Sequence, residues 1–416
     1  MAKEKKQRFI VEFLLETDEA QEHILNKRME IGRRIYNQCV SKSRKAYQEM
    51  VKTKRYRQID AELDAIKAQK QDKDKKTDRE KELYAELNAI RREFGLTEFG
   101  MRELALSQSH AFSRHIDSGC AVSIGNQLWN AWDDFFFGEG EDVRFCKYGD
   151  FNSLQGMNNK FGITIIKNAV HKSWKGEKTA LIWGKTAKSI NLAIPIRIHK
   201  DNPYEMEALN NDIANSRIVR KSFDGKDTFY VQIVFKGLPP VKYDVDGNVL
   251  HPLGNGKVKG ILTKENIRII TDEVDETFDL APSVENFEKQ KSEILRAMAR
   301  SRIATNPDKY NLDGTNKPLS EYKDRHWVRS NHYKAFKNEL KELSRKSADV
   351  RKEDHCILAN YIVSLGNEFE ITHPDFKKKQ KTDGKHIADK APAAFLSILE
   401  RKTEVLGGTL TKEKQE

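Results

Sequence analysis

Cysteine is scarce in this chain: there are 4 in 416 residues, and Cys39, Cys120, Cys146 and Cys356 are scattered without a Cys-x-x-Cys pair. That spacing argues against a disulfide framework, provides no zinc-finger ligand set, and suits a reducing cytoplasm. Long apolar runs are missing as well, none approaching the ~20 residues a bilayer-spanning helix needs. The opening MAKEKKQRFIVEFLL is basic, but Glu12 breaks its apolar run, Glu16 follows, and there is no small-residue cleavage site, so it is not expected to be a signal peptide. Acidic charge is in the minority, with 63 Asp and Glu against 74 Lys and Arg, a net +11. Such an excess favours a polyanionic partner, although a well-solvated basic surface has the same composition. With 38% hydrophobic and 33% charged residues, the chain reads as a water-facing protein long enough for two or three domains.

Residues 8–15 alternate as one strand, and Thr17 and Asp18 form a helix-capping signal. Ile24, Arg28, Ile31, Ile35 and Cys39 then share a helical face. Residues 41–92 are charged and helix-prone, with residues 71–78 as an exposed connection. Arg33, Arg34, Asn37, Arg44, Lys45, Lys52, Lys54, Arg55 and Arg57, with Tyr36, Tyr47 and Tyr56 among them, make a basic and aromatic surface suited to phosphates and bases. The same pattern also describes a solvated helix whose tyrosines reach its core. In SIGNQLWNAWDDFFFG (123–138), Ile124, Leu128, Trp132 and Phe135 have core spacing, and Ser123, Asn126 and Gln127 are expected to face away from them. From Val143 the texture changes to short β-like runs, VRFCKYG (143–149), KTALIWG (178–184), INLAIPIRIHK (190–200), SRIVRKSF (216–223) and TFYVQIVFKG (228–237). The last two flank a hairpin turn at 224–227, and together the runs predict a small barrel. Arg144, Lys147, Arg197, Lys200, Arg217, Arg220 and Lys221 are candidates for an RNA-facing surface of that barrel, or are simply solvated. Farther on, Val284, Phe287, Lys291, Ile294, Leu295 and Met298 outline a helix ending in a basic stretch with Arg300 and Arg302. Tyr333, Phe336, Leu340 and Leu343 outline another.

One absence is the most informative. GKVKGILTKENIRIITD (256–272) reads as two short strands joined at 263–266, and its first strand carries no acid. This stretch resembles the start of the RuvC nuclease domain of TnpB, the RNA-guided nuclease of insertion sequences related to type V CRISPR effectors, where a Val-Gly-Ile-Asp-Ile-Gly pattern supplies the first metal-binding Asp. On this chain that position falls on Ile261. SRIATNPDKYNLDGTNK (301–317), WVRSNHYKAFKNELKEL (327–343) and DKAPAAFLSILERKTEVLGG (389–408) resemble further segments of the same domain, in family order. The second family carboxylate, a Glu, falls on Thr372 in the strand EFEITHPDF (368–376), and Glu370 sits about 7 Å away on the same strand face. The third follows a four-cysteine zinc-binding insertion, and the sequence ends at Glu416 with neither. The basic run 377–381 stands where the family has a longer loop.

The resemblance implies an α+β multidomain protein: a helical recognition lobe inserted in a wedge β-barrel, then a truncated RNase H-like (RuvC) α/β domain. Its expected parts are a first wedge strand (1–16), the recognition lobe (17–137), the wedge barrel (138–242), a linker (243–256), an inactive RuvC-like domain (257–408) and a tail (409–416). It further implies that Ser123, Asn126 and Gln127 lie where the family reads a short DNA motif, since Asn and Gln can pair with adenine. Two-metal hydrolysis needs clustered carboxylates, so no nuclease activity, catalytic metal or zinc is expected. The expected partners are a guide RNA, one protein monomer per guide, and double-stranded target DNA beside a flanking motif, with no membrane, in the bacterial cytoplasm at the nucleoid. The pattern resembles that of the TnpB-like nuclease-dead repressors (TldR). Competing readings are an active RNA-guided nuclease, a decaying transposon remnant and a basic nucleic-acid binder without a guide. Intact apolar periodicity, caps and turns beside lost carboxylates favour the repressor.

Overall fold

In a computed structural model, residues 7–69, 77–137, 140–184, 190–223, 225–318, 320–321, 326–376, 384 and 387–415 are described. The polar connection at 71–76, the turn residue Asp224 and the basic run 377–381 lie outside these residues. The chain divides into two compact units, Met1–Ser222 with Asp227–Pro239, and Phe223–Lys226 with Pro240–Glu416.

The first unit opens with β1 (Arg8–Leu14), whose alternation sends Phe9, Val11 and Phe13 inward. Asp18 then caps α1 (Glu19–Val51) reciprocally: Gln21 N donates to Asp18 Oδ1 (2.8 Å) and Asp18 N to Gln21 Oε1 (3.1 Å). This capping box satisfies two of the helix's orphan donors. The helices α2 (Lys54–Gln69), α3 (Asp78–Glu93), α4 (Glu98–Ser109) and α5 (Ser118–Phe136) follow. The stripe on α1 packs as its spacing predicts, and Arg28 within it is buried, its guanidinium 3.9 Å from the Trp183 ring centre. Burial lowers its pKa to about 10.

Strands β2 (Ser153–Gln155), β3 (Ile163–Ala169), β4 (Lys178–Trp183) and β5 (Leu192–Pro195), helix α6 (Pro203–Leu209) and strands β6 (Ile213–Phe223) and β7 (Lys226–Lys236), apart from the tip of the β6–β7 hairpin, complete the unit. They form two sheets, β1-β7-β6-β2 and β3-β4-β5, that meet at the antiparallel bridge Leu15↔Ile196. The β1–β7 register opposes Phe9 to Phe235, with ring centres 5.3 Å apart, so α1 to α5 form an excursion between two partnered strands. Two expectations are corrected here. Residues 143–149 form no strand, because the Cys146 backbone bonds a side chain of α1 rather than a ladder. Residues 163–169, passed over in the sequence, form β3.

The second unit contains β8 (Lys257–Leu262), β9 (Asn266–Ile270), β10 (Asp275–Asp279), α7 (Glu285–Thr305), α8 (Asn331–Ser364), β11 (Glu368–His373), α9 (Pro392–Val405) and β12 (Thr409–Lys414). The sheet order is β10-β9-β8-β11-β12, antiparallel through the first three strands and parallel from β8 through β11 to β12. Residues 409–414, set apart as a tail in the sequence, are thus a strand of this sheet. One sheet face buries Val258, Leu262, Ile267, Ile269, Phe369 and Ile371 in a core with residues of α8 and α9. The opposite face of β8 leaves Lys257, Lys259 and Ile261 exposed. Packing is close enough that a Cβ on Gly260 would stand 2.5 Å from Ile371 Cδ1.

Candidate nucleic-acid interface

Segment 142–148 runs down the outside of α1, held by Arg33, Asn37 and Arg44 of the helix. Arg44 pairs with Asp142 (3.1 Å), Asn37 Nδ2 donates to Cys146 O (2.9 Å), Cys146 N donates to Asn37 Oδ1 (2.8 Å), and Arg33 Nη1 donates to Cys146 O (3.2 Å). Glu30 orients the start of this row, accepting from Arg33 Nε (2.8 Å) and Nη2 (2.7 Å) and from Arg34 Nε (3.3 Å). The Arg33 bonds, foremost among several causes, hold the Glu30 carboxyl below its usual pKa.

Two aromatic rings stand out from this segment, Phe145 at 49% and Tyr148 at 81% exposure. The Arg44 guanidinium lies 5.7 Å from the first ring centre and that of Arg33 lies 5.9 Å from the second, while Lys147 is exposed between the rings and Arg144, 3.5 Å from Glu141, is exposed before them. Exposed rings alternating with cations can stack bases and hold the phosphates that join them. Neither ring was singled out in the sequence, although the signal, basic and aromatic residues alternating through Arg144-Phe145-Cys146-Lys147-Tyr148, was present there.

The other candidate residues separate by burial. Tyr36 is half-buried, its ring centre 6.3 Å from that of Phe151. Tyr47 packs among Trp132, Phe135 and Phe136. Tyr56 is half-buried, and burial above all pushes its pKa up to about 12. These three tyrosines belong to packing, whereas Lys45, Lys52 and Lys54 are exposed. Arg55 pairs with Glu93 (2.9 Å), and Arg57 donates to the Lys52 carbonyl.

On α5, Ser123 is buried and so does not face away from the core stripe as expected, and Gln127 is half-buried. Asn126 accepts from Arg102 Nε (2.6 Å). The cause is the close crossing of α4, where a Cβ on Gly125 would meet Met101 O at 2.7 Å and Arg102 Cα at 2.8 Å. Among the strands, Arg217 donates from Nε to Gln232 Oε1 (3.0 Å), Lys221 bonds Glu12, and Arg197 pairs with Glu16 (3.3 Å). Arg220 donates to Asn26 Oδ1 (2.7 Å), Asn152 Oδ1 (2.8 Å) and Gly149 O (3.0 Å), which makes it a structural tie. Lys200 is exposed.

In the second unit, Ile261 and Thr372 are register partners on the adjacent parallel strands β8 and β11. Their row continues to Arg268 on β9 and Glu413 on β12. Arg268 is held by Asp275 through two bonds of 2.7 Å. One carboxylate and one guanidinium flanking an isoleucine and a threonine do not fit a pair of divalent cations, which needs several converging anionic oxygens. Glu370 lies one row away, opposite Lys259 and Thr411. Among the described residues, no group of three His, Cys, Asp or Glu side chains is placed to hold a metal ion. Arg300 and Arg302 are exposed on the last turns of α7, Arg302 6.0 Å from the Trp327 ring centre.

No protein-family model and no curated protein matches the sequence. Among solved structures, the chain is similar over 99% of its length to 90% of a chain in a cryo-EM structure of the Cas12f1–sgRNA–target DNA complex, with TM-score 0.44 and 8% identity. A second similarity, to a CRISPR-Cas12f ternary complex, has TM-score 0.25 and 9% identity over 96% of this chain and 76% of the other. At such scores and identities the likeness extends to no individual residue. No helix among the described residues is long and apolar enough to cross a membrane.

Proposed function

We propose that this chain is a nuclease-inactive, RNA-guided DNA-binding protein that represses transcription by occupying a guide-matched promoter site beside a short flanking motif, as in the TnpB-like repressors it resembles. The observation that carries this reading is the register of Ile261 against Thr372. The sequence resemblance assigns the family's first two carboxylates to these positions from segments more than a hundred residues apart, and a metal site needs such positions to be neighbours. Their adjacency supports the alignment, and their side chains leave it without anionic ligands. The row of exposed rings, partly buried arginines and exposed lysines along α1 supports a nucleic-acid partner. In such a system the guide pairs with the target strand, and the protein reads backbone shape and the flanking motif. A complex that opens DNA without cutting it has occupancy as its output.

The test is to sequence RNA that co-purifies with the protein, place the matching site in a reporter promoter, and compare transcription with a scrambled site. A defined RNA and repression confined to the matched promoter are expected, with the DNA left intact in the presence of Mg²⁺. Guide-dependent cleavage, or equal expression from both promoters with protein and guide present, would overturn the reading.

A further inference from the structure

Beside the start of the α1 row, a cavity of about 380 Å³ opens between α1 and the turn that follows α4. Its basic lining comes from Lys27 and Arg34 on the helix and Arg114 and His115 on the turn. Among the described residues, neither Lys27 nor Arg114 has a side-chain hydrogen-bond or ion-pair partner. His115 Nδ1 is buried and also lacks one. The carboxylate that lines the cavity, Glu30, is already engaged by Arg33 and Arg34. Ile31 and Phe112 supply an apolar wall. Burial first, then the charges of Lys27, Arg28 and Arg114, lower the His115 pKa, and three cations against one carboxylate give the cavity a net positive lining. Unpaired cations lining a cavity call for an anion with several acceptor oxygens, and the apolar wall of Ile31 and Phe112 calls for a ring attached to it.

We propose that this cavity binds a nucleoside monophosphate, its phosphate on Lys27, Arg34 and Arg114 and its base against Ile31 and Phe112. The ligand is presented at the end of an RNA strand or as a free mononucleotide. The strand-end form rests on the RNA-binding reading above, whereas the free form does not.

The experiment measures binding of one short single-stranded RNA carrying a 5′-phosphate or a 5′-hydroxyl, with AMP and inorganic phosphate as competitors. The phosphorylated strand is expected to bind about tenfold tighter, the effect of about one charge-assisted contact, and AMP is expected to compete. Lys27→Gln and Arg114→Gln, both at exposed positions, should abolish the preference and the AMP competition without shifting the melting temperature. Equal affinity for the two strands with no AMP competition would overturn the proposal while leaving RNA binding itself intact. AMP binding without RNA binding would instead support the cavity and defeat the RNA-binding reading. Inorganic phosphate competing as well as AMP would overturn the assignment of the base to Ile31 and Phe112.

Discussion

Tyrosines 47 and 148 carry the same ring amid similar basic residues, yet one packs against Trp132, Phe135 and Phe136 while the other is 81% exposed. Tyr148→Ala should therefore weaken binding of single-stranded RNA by about 1–3 kcal/mol, the effect of one stacked base, and change stability by less than about 0.5 kcal/mol. Tyr47→Ala should do the reverse, costing about 2–3 kcal/mol of stability through lost packing. Titration of a labelled RNA and a denaturant melt of each variant check both halves, and equal behaviour of the two would remove Tyr148 from the interface. Sequence reasoning left Tyr36, Tyr47 and Tyr56 open between a binding surface and packing because exposure is set far along the chain. The backbone at Cys146 is fixed by Asn37, 109 residues earlier, and no local pattern reports that bond. The Ile261 and Thr372 positions came from the family resemblance instead, and strand alternation with the β8–β11 register brings these two positions side by side.

Helices with strong caps and strands with clean alternation were readable as elements: α1 begins at its Asp18 signal, and the hairpin of β8 and β9 turns at 263–266. Among the strands that escaped were β3, whose first three residues are buried in succession, and β12, whose TLTKEK is polar and gains strand character from pairing in parallel with β11. Gly125 explains why α5 could not be read correctly from its own periodicity, because α4 approaches at backbone distance on a face that looks polar. Gly125→Ala should thus destabilise the first unit by about 1–3 kcal/mol, measured by chemical denaturation, despite alanine's higher helix propensity. A gain in stability would mean that the α4–α5 crossing is looser than described. In the second unit, His355 on α8 is buried, bonded to the Lys390 carbonyl (2.9 Å), and its pKa is lowered chiefly by burial. With the folded pKa below the unfolded value of about 6.5, the unfolded chain takes up the proton more readily, so this contribution to stability is lost as pH falls below about 6.5. His355→Gln should lose less stability than the parent between about pH 7 and about pH 5 in paired melts, and identical losses would rule His355 out as a source of acid sensitivity.

At the scale of the whole molecule, the net charge of +11 predicts that the proposed RNA binding weakens with salt. Lys45, Arg144 and Lys147 are exposed along the α1 row, so replacing all three with Gln should lower the slope of log affinity against log salt by about 2. An unchanged slope across a salt series would place the interface elsewhere. The open order of the second unit's sheet bears on how copies of the protein behave when crowded together. Among the described residues both ends of that sheet are edge strands, β10 and β12, and an unpaired edge is a template for another chain. The edge at β10 carries Asp275, Glu276 and Asp279, while β12 carries Lys412, pulled back to Glu400 at 2.7 Å, and Lys414. Asp275 is engaged by Arg268 and Asp279 by Lys390, so joining two β10 edges sets chiefly Glu276 against its copy, and joining two β12 edges sets lysine against lysine. Lys412→Val with Lys414→Val should therefore turn a dispersed protein into one that scatters light on concentration, and a clear solution from that variant would show that something other than edge charge keeps the copies apart.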